Sequence, residues 1–177
     1  RKTLAASGIP AVTVDDTKVL KSNEAEHILH LLVAVNDPSL QTISRALLSP
    51  FTGFSTEDIL NLNEEEELIQ FRELKTTWQK NGVYGMLTEF VSKYRVKSVL
   101  LDENMQNGER VMTNFYQIAE VLHKTKTKKK LSQSDLCGWL KRMQDEDNTE
   151  GDEYEQRMES DEDAVRISTI HSSKGLA

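Results

Sequence analysis

The sequence predicts a mainly α protein with a small α/β portion formed by its two ends. From about residue 37 to 141, apolar residues recur at three- and four-residue spacings, with capping and breaking residues between the runs. A short β-rich run lies near each end, at residues 9–14 and 165–169. A strand near each end of a long helical stretch is the pattern of a helical subdomain inserted into an α/β domain. The expected division is 1–36 and 164–177 for the α/β portion, 37–143 for the helical insertion and 144–163 for an acidic linker.

The elements follow in order. Gly8 stops a first helix, and residues 9–14 form a strand opened by Pro10. Ser22 or Asn23 caps a helix whose Ala25, Ile28, Leu29 and Leu32 make one inward stripe. Asp37-Pro38 breaks the chain, Ser39 caps a short helix through Leu48, and Pro50 ends it. Ser55 and Asp58 have the spacing of a capping box. The acidic run Glu64 to Glu67 suits a helix N-terminus, and that helix turns Leu68, Phe71, Leu74 and Trp78 inward before stopping at Asn81-Gly82. The next carries Met86, Leu87, Phe90, Val91 and Tyr94 on one side. After Asn107-Gly108 comes the stripe Val111, Phe115, Ile118 and Leu122, and Ser134 caps a last helix bearing Leu136, Trp139, Leu140 and Met143. No fixed-period repeat joins these helices, which argues against a solenoid.

At 177 residues the chain can bury one sizeable core, or one domain with part of another. A net charge of −7 and a pI near 5.2 exclude a surface that grips nucleic acid everywhere, while leaving room for a local basic site. One cysteine, Cys137, provides neither an internal disulfide nor a zinc site, and points to a reducing, cytoplasmic setting. No run approaches the ~18 apolar residues of a membrane span, so no membrane partner is expected. The chain starts at Arg1 without a methionine and stops inside a turn, so it reads as a piece of a longer protein.

The richest chemistry lies at the end. Val165, Ile167 and Thr169 alternate with Arg166 and Ser168, and the run then breaks into His171-Ser172-Ser173-Lys174-Gly175. A strand feeding a polar, glycine-containing turn is where an α/β sheet offers backbone N–H groups and short side chains to phosphates. The wording from Thr169 to Leu176 resembles motif V of superfamily 1 DNA helicases, Thr-x-His-x-x-Lys-Gly-Leu-Glu, which follows a strand of their second RecA-like domain. Gly8-Ile9-Pro10 with Glu24-Ala25 opening an apolar helix resembles another segment of that domain. Within the superfamily the chain is most similar to the RecB-like helicase-nucleases, the family of the exodeoxyribonuclease V beta subunit. The similarity rests on Arg45 to Ser49 with Gly53, Asp58 to Asn63, Trp78 to Leu87, Gly108-Glu109-Arg110 and Met158 to Asp161.

The resemblance implies a fragment of the second RecA-like motor domain of an ATP-dependent DNA helicase and exonuclease of double-strand break repair, carrying its inserted helical subdomain. Thr169 and His171 would contact the single-stranded DNA backbone, Ser172 and Ser173 would add donors, Lys174 would add positive charge, and Gly175 would keep the backbone close to the nucleotide. The family's glutamate after Gly-Leu is replaced by Ala177. The partners implied are DNA, single-stranded and duplex, and other subunits of a helicase-nuclease complex. No phosphate loop, paired-aspartate metal motif or nuclease signature is present. No catalytic residue is therefore assigned. ATP and Mg²⁺ belong to the full-length parent, and the chain alone is expected to bind neither and to be inactive.

Other features read more plainly. Lys124 to Lys130 is a basic run, read as a solvated loop, with duplex DNA contact as the family's alternative. Trp78 and Trp139 sit on core stripes and are read as core. Glu24, Glu26, His27 and His30 have helical spacing, but the histidines are placed off the apolar stripe and no further ligands complete a metal site. Asp145 and Asp147 have calcium-loop spacing, yet Glu150 and Gln156 stand where glycine and glutamate belong. Cys137 has no basic neighbour and reads as buried and inert. The rival to the motor reading is a non-enzymatic helical interaction module whose last strand merely resembles motif V. The two differ over the strands, which share a parallel sheet in the first and lie apart in the second.

Overall fold

Ser22 opens the first helix, its hydroxyl accepting the Ala25 N–H at 3.3 Å as the sequence predicts. The structure, a computed structural model, describes residues 11–13, 18–102, 105, 107–145, 154 and 165–167. A 3₁₀ turn, Val19–Lys21, leads into α1 (Asn23–Asn36), followed by α2 (Leu40–Leu47) and α3 (Thr56–Leu60). Then come α4 (Glu64–Lys93), α5 (Val96–Leu100), α6 (Gly108–Lys129) and α7 (Gln133–Asp145). The protein is mainly α, as expected.

Helix α1 is the axis of the helical unit, packed against α2, α4, α6 and α7. Its sequence carries more than the one stripe expected. Ala25, Ile28 and Leu32 are buried, but so are Leu31, Ala34 and Val35, whereas Leu29 is only partly covered. A single stripe suits a surface helix; apolar residues on most sides suit one enclosed by neighbours. His27 is likewise not turned away from the packing, because its ring meets the edge of Phe51 at 5.9 Å between centroids.

Helix α4 is a hairpin. Gly82 at φ 79°, ψ 176° breaks it, a backbone conformation open essentially to glycine alone. Lys93 Nζ reaches Glu73 Oε2 at 2.7 Å, although twenty residues of straight helix would span about 30 Å. The chain therefore folds back at Gly82, where the sequence places a stop. Phe71, Leu74 and Trp78 from the first arm and Met86, Leu87, Phe90 and Val91 from the second are buried. At the open end the Tyr94 hydroxyl donates to Glu67 Oε2 at 2.6 Å. Burial, then this bond to a carboxylate, push the phenol well above its ordinary pKa.

Helix α5 has no counterpart in the sequence reading. Its N-cap Arg95 adopts a left-handed conformation (φ 51°) without the glycine or asparagine that would announce it. Gly108, which opens α6, is required by close approach: a Cβ there would lie 1.6 Å from the Leu100 carbonyl oxygen. Phe115, Ile118 and Leu122 are buried as expected, with Val111 partly so. The cap of α7 is Ser132, not Ser134. Ser132 Oγ accepts the Asp135 N–H at 3.1 Å and Asp135 Oδ2 accepts the Ser132 N–H at 3.3 Å, a reciprocal box that Ser134 has no carboxylate to make. Ser134 instead accepts from Asn36 Nδ2 at 3.2 Å, linking α7 to the end of α1.

The two ends meet in strands. β1 (Ala11–Thr13) pairs in parallel with β2 (Val165–Ile167), with Val12 opposite Arg166. Parallel neighbours need a crossover, and here the crossover contains the whole helical unit. Helix α7 runs through Asp145, so the first two residues of the expected linker are helical. Within that stretch the described Tyr154 is half-buried against the core. The rest of 146–163 lies outside the described residues.

Candidate nucleic-acid interface

β2 ends at Ile167, two residues before the motif that the sequence singles out. Thr169, His171, Ser172, Ser173, Lys174 and Gly175 lie outside the described residues, as does Ala177. The described structure contributes the strand that leads into them and its parallel partner.

The basic run is not a loop. Lys124 to Lys129 form the last turns of α6 and Lys130 caps it in a left-handed conformation (φ 52°). A helix C-terminus concentrates unpaired carbonyls, so cations there are stabilised by the helix dipole. Thr125 turns inward and is buried, while Lys124, Lys128, Lys129 and Lys130 are exposed. Lys129 Nζ lies 5.8 Å from the centre of the Trp139 ring. Trp78 and Trp139 are 0% and 4% exposed, so neither offers a face to a base. Tyr84 is exposed, and its ring meets that of His123 in α6 edge-on at 6.4 Å.

No group of three or more His, Cys, Asp or Glu among the described residues is arranged to hold a metal ion. His30 Nε2 lies 3.9 Å from Glu26 Oε1. Burial above all holds His27 and His30 below the usual imidazole pKa, with Arg45 adding to the effect on His30 and the Glu26 carboxylate opposing it. Cys137 is buried, which pushes its thiol up to about 11 and leaves it protonated and unreactive near neutrality.

A cleft of about 760 Å³ lies between α1, α2 and α7. The residues where the chain enters the helical unit, Ser22 and Asn23, line it together with those where the chain leaves, Gln144 and Asp145. It also gathers His30, Arg45 and Lys141. Sequence reasoning missed this set. Each member comes from a different helix, and no local spacing marks it. A smaller hollow of about 310 Å³ near Phe54 is floored by the Glu67–Tyr94 pair.

The architecture is thus a mainly α unit strung between two adjacent parallel strands, and no helix among the described residues is long and apolar enough to cross a membrane. The whole chain, residues 1–177, matches the UvrD-like helicase C-terminal domain, and it belongs to that family. It is 32% identical over 99% of its length to the RecBCD enzyme subunit RecB of Escherichia coli. It is 31% identical over 96% to that of Haemophilus influenzae and 30% identical over 99% to that of Mycobacterium tuberculosis. The chain spans 15%, 14% and 16% of these relatives.

Proposed function

We propose that this chain is part of the second motor domain of an ATP-dependent DNA helicase-nuclease acting in double-strand break repair and recombination in the cytoplasm. The observation that carries the reading is the parallel pairing of β1 with β2 across the helical unit, immediately before Thr169-x-His171-x-x-Lys174-Gly175. The rival interaction module expects those strands apart. On this reading the two strands belong to the motor sheet, the helices from α1 to α7 form the subdomain strung between them, and 146–163 is the return connection. Thr169, His171, Ser172, Ser173 and Lys174 hold phosphates of single-stranded DNA, and Gly175 lies toward the nucleotide. The helical subdomain docks on duplex DNA or a partner subunit; the relatives' name, a subunit of the RecBCD enzyme, supports assembly with other subunits. ATP and Mg²⁺ are held elsewhere in the parent, since this sequence has no phosphate loop.

The test is His171→Ala in the full-length enzyme. Losing one phosphate hydrogen bond costs about 1–3 kcal/mol, so DNA-stimulated ATP turnover at sub-saturating DNA should fall about 5- to 150-fold, equally for all DNA sequences. Phosphates carry no base information, so any sequence dependence of the loss counts against the assignment. An unchanged stimulated rate at saturating and sub-saturating DNA alike removes the role given to the motif. A large drop in melting temperature makes His171 a structural residue instead.

A further inference from the structure

The cleft at the root of the helical unit carries more donors than its own residues use. Arg45 projects from α2 and Lys141 from α7, both exposed, and neither makes an ion pair with a described acid. Asp145, one turn beyond Lys141, makes no ion pair with it, and Glu26, 3.9 Å from a His30 imidazole whose pKa burial holds low, is the cleft's other carboxylate. On the same wall Gln144 Nε2 is shielded from solvent and has no acceptor among the described residues, a desolvated donor left without a partner there. Guanidinium, ammonium and amide are all donors, and Arg45 and Gln144 offer theirs in planar pairs. Two cations without an ion pair among the described residues and an orphaned N–H facing one cavity call for an anionic acceptor with several oxygens. The volume, about 760 Å³, admits a phosphate with a substituent attached.

We infer that this cleft binds a phosphate group, held between Arg45 and Lys141 with Gln144 donating from the wall. Its position gives the binding a consequence. Ser22 and Gln144 stand where the chain passes between the strands and the helices, so an occupant bridging α2 and α7 also ties the two connections together. Phosphate occupancy then stiffens the attachment of the helical unit. The site stands whether or not residues 169–175 hold DNA.

The experiment uses the 177-residue chain in chloride buffer near physiological ionic strength. Inorganic phosphate, pyrophosphate, a short oligothymidylate and a short duplex are titrated separately by calorimetry and by amide NMR. Saturable binding is expected, with shifts centred on the Gln144 side-chain amide and the Gly138 backbone N–H, which also lines the cleft. Arg45→Ala and Lys141→Ala should each weaken it roughly tenfold, since each removes a charge-assisted bond, and Arg45→Lys should restore part of the loss. The Lys124→Ala/Lys128→Ala double variant, on the basic end of α6, should leave it unchanged. Binding of the inorganic anions identifies a free phosphate compound as the source. Binding of oligonucleotide alone, with the same variant pattern, identifies a nucleic-acid backbone. The inference is overturned if none of the four probes binds saturably, or if binding survives both cleft variants and is lost with Lys124 and Lys128. The wild-type shift map decides the matter even if a variant fails to fold, because shifts away from Gln144 and Gly138 also overturn it.

Discussion

Phe51 sits in the loop after α2, yet it is 1% exposed and joins α1 to α6. Its ring meets His27 of α1 at 5.9 Å and Phe115 of α6 at 5.1 Å, both edge-on. Truncation to alanine removes a buried ring and both aromatic contacts. Buried Phe→Ala changes cost about 3–5 kcal/mol, and favourable aromatic pairs place this one toward the upper part of that range. For a domain of this size each kcal/mol moves Tm by about 2–4 °C, so Phe51→Ala should melt roughly 8–20 °C lower. Phe51→Leu keeps most of the volume and should cost about 1–2 kcal/mol. The assay is thermal unfolding by circular dichroism, paired with an NMR titration of His27. Without the ring the His27 imidazole is better solvated, so its pKa should rise toward the ordinary 6.5. A fall in Tm below about 3 °C for the alanine variant, or one no larger than for leucine, would refute the placement of Phe51 as a core joint.

Acid should destabilise the fold before its carboxylates titrate. His27 and His30 have folded pKa values below 6.5, mainly through burial, so the unfolded chain takes up protons first; stability is full above about pH 6.5 and falls as pH drops through the folded values. His27→Gln with His30→Gln should flatten the profile of stability between pH 7 and 5, and an unaltered slope counts against the burial of these rings. Ser132→Ala removes the cap of α7 and should cost about 1 kcal/mol, against a few tenths for Ser134→Ala, measured by urea unfolding; equal costs would return the cap to Ser134.

What the sequence made legible was local. The Ser55–Asp58 box, the Ser22 and Ser39 caps and the stop at Gly82 depend on residues within one turn of each other, and each lies where its spacing places it. Ser132 and Asp135 have the same spacing, but Ser134 lies closer to the apolar stripe and competes with Ser132 for the cap. The charge of Lys124 to Lys130 suggests a loop, whereas lysine is a good helix former and suits a helix C-terminus. Helix α5 was invisible because its start is a left-handed arginine held by neighbours, not by its own chemistry. Phe51 and the cleft were invisible for a stronger reason. A loop residue has no stripe to announce its burial, and Arg45, Lys141 and Gln144 meet only once α1, α2 and α7 pack.

The strands and the helices should separate in energy. Each strand is three residues long and pairs with the other, whereas the described buried apolar cluster runs from Val19 to Leu140. A two-stranded pair of this size is marginal in water, while the helical core buries five aromatic rings at 1% exposure or less. Arg166→Pro should therefore be nearly silent in the melt of the isolated chain. Proline removes a backbone donor and disfavours regular strand geometry opposite Val12, yet the expected change in Tm is under about 2 °C. In the full-length enzyme the same change should be severe, because on the proposed reading β2 leads the chain to the DNA-contacting Thr169 and His171. DNA-stimulated ATPase should be lost with the helical melt preserved. If the isolated chain instead loses 8 °C or more, strands and helices share one cooperative unit, and the helical unit is not separable from the strands that flank it. If the full-length enzyme keeps its stimulated rate, β2 does not position the motif, and the parallel pair loses its place in the proposed motor.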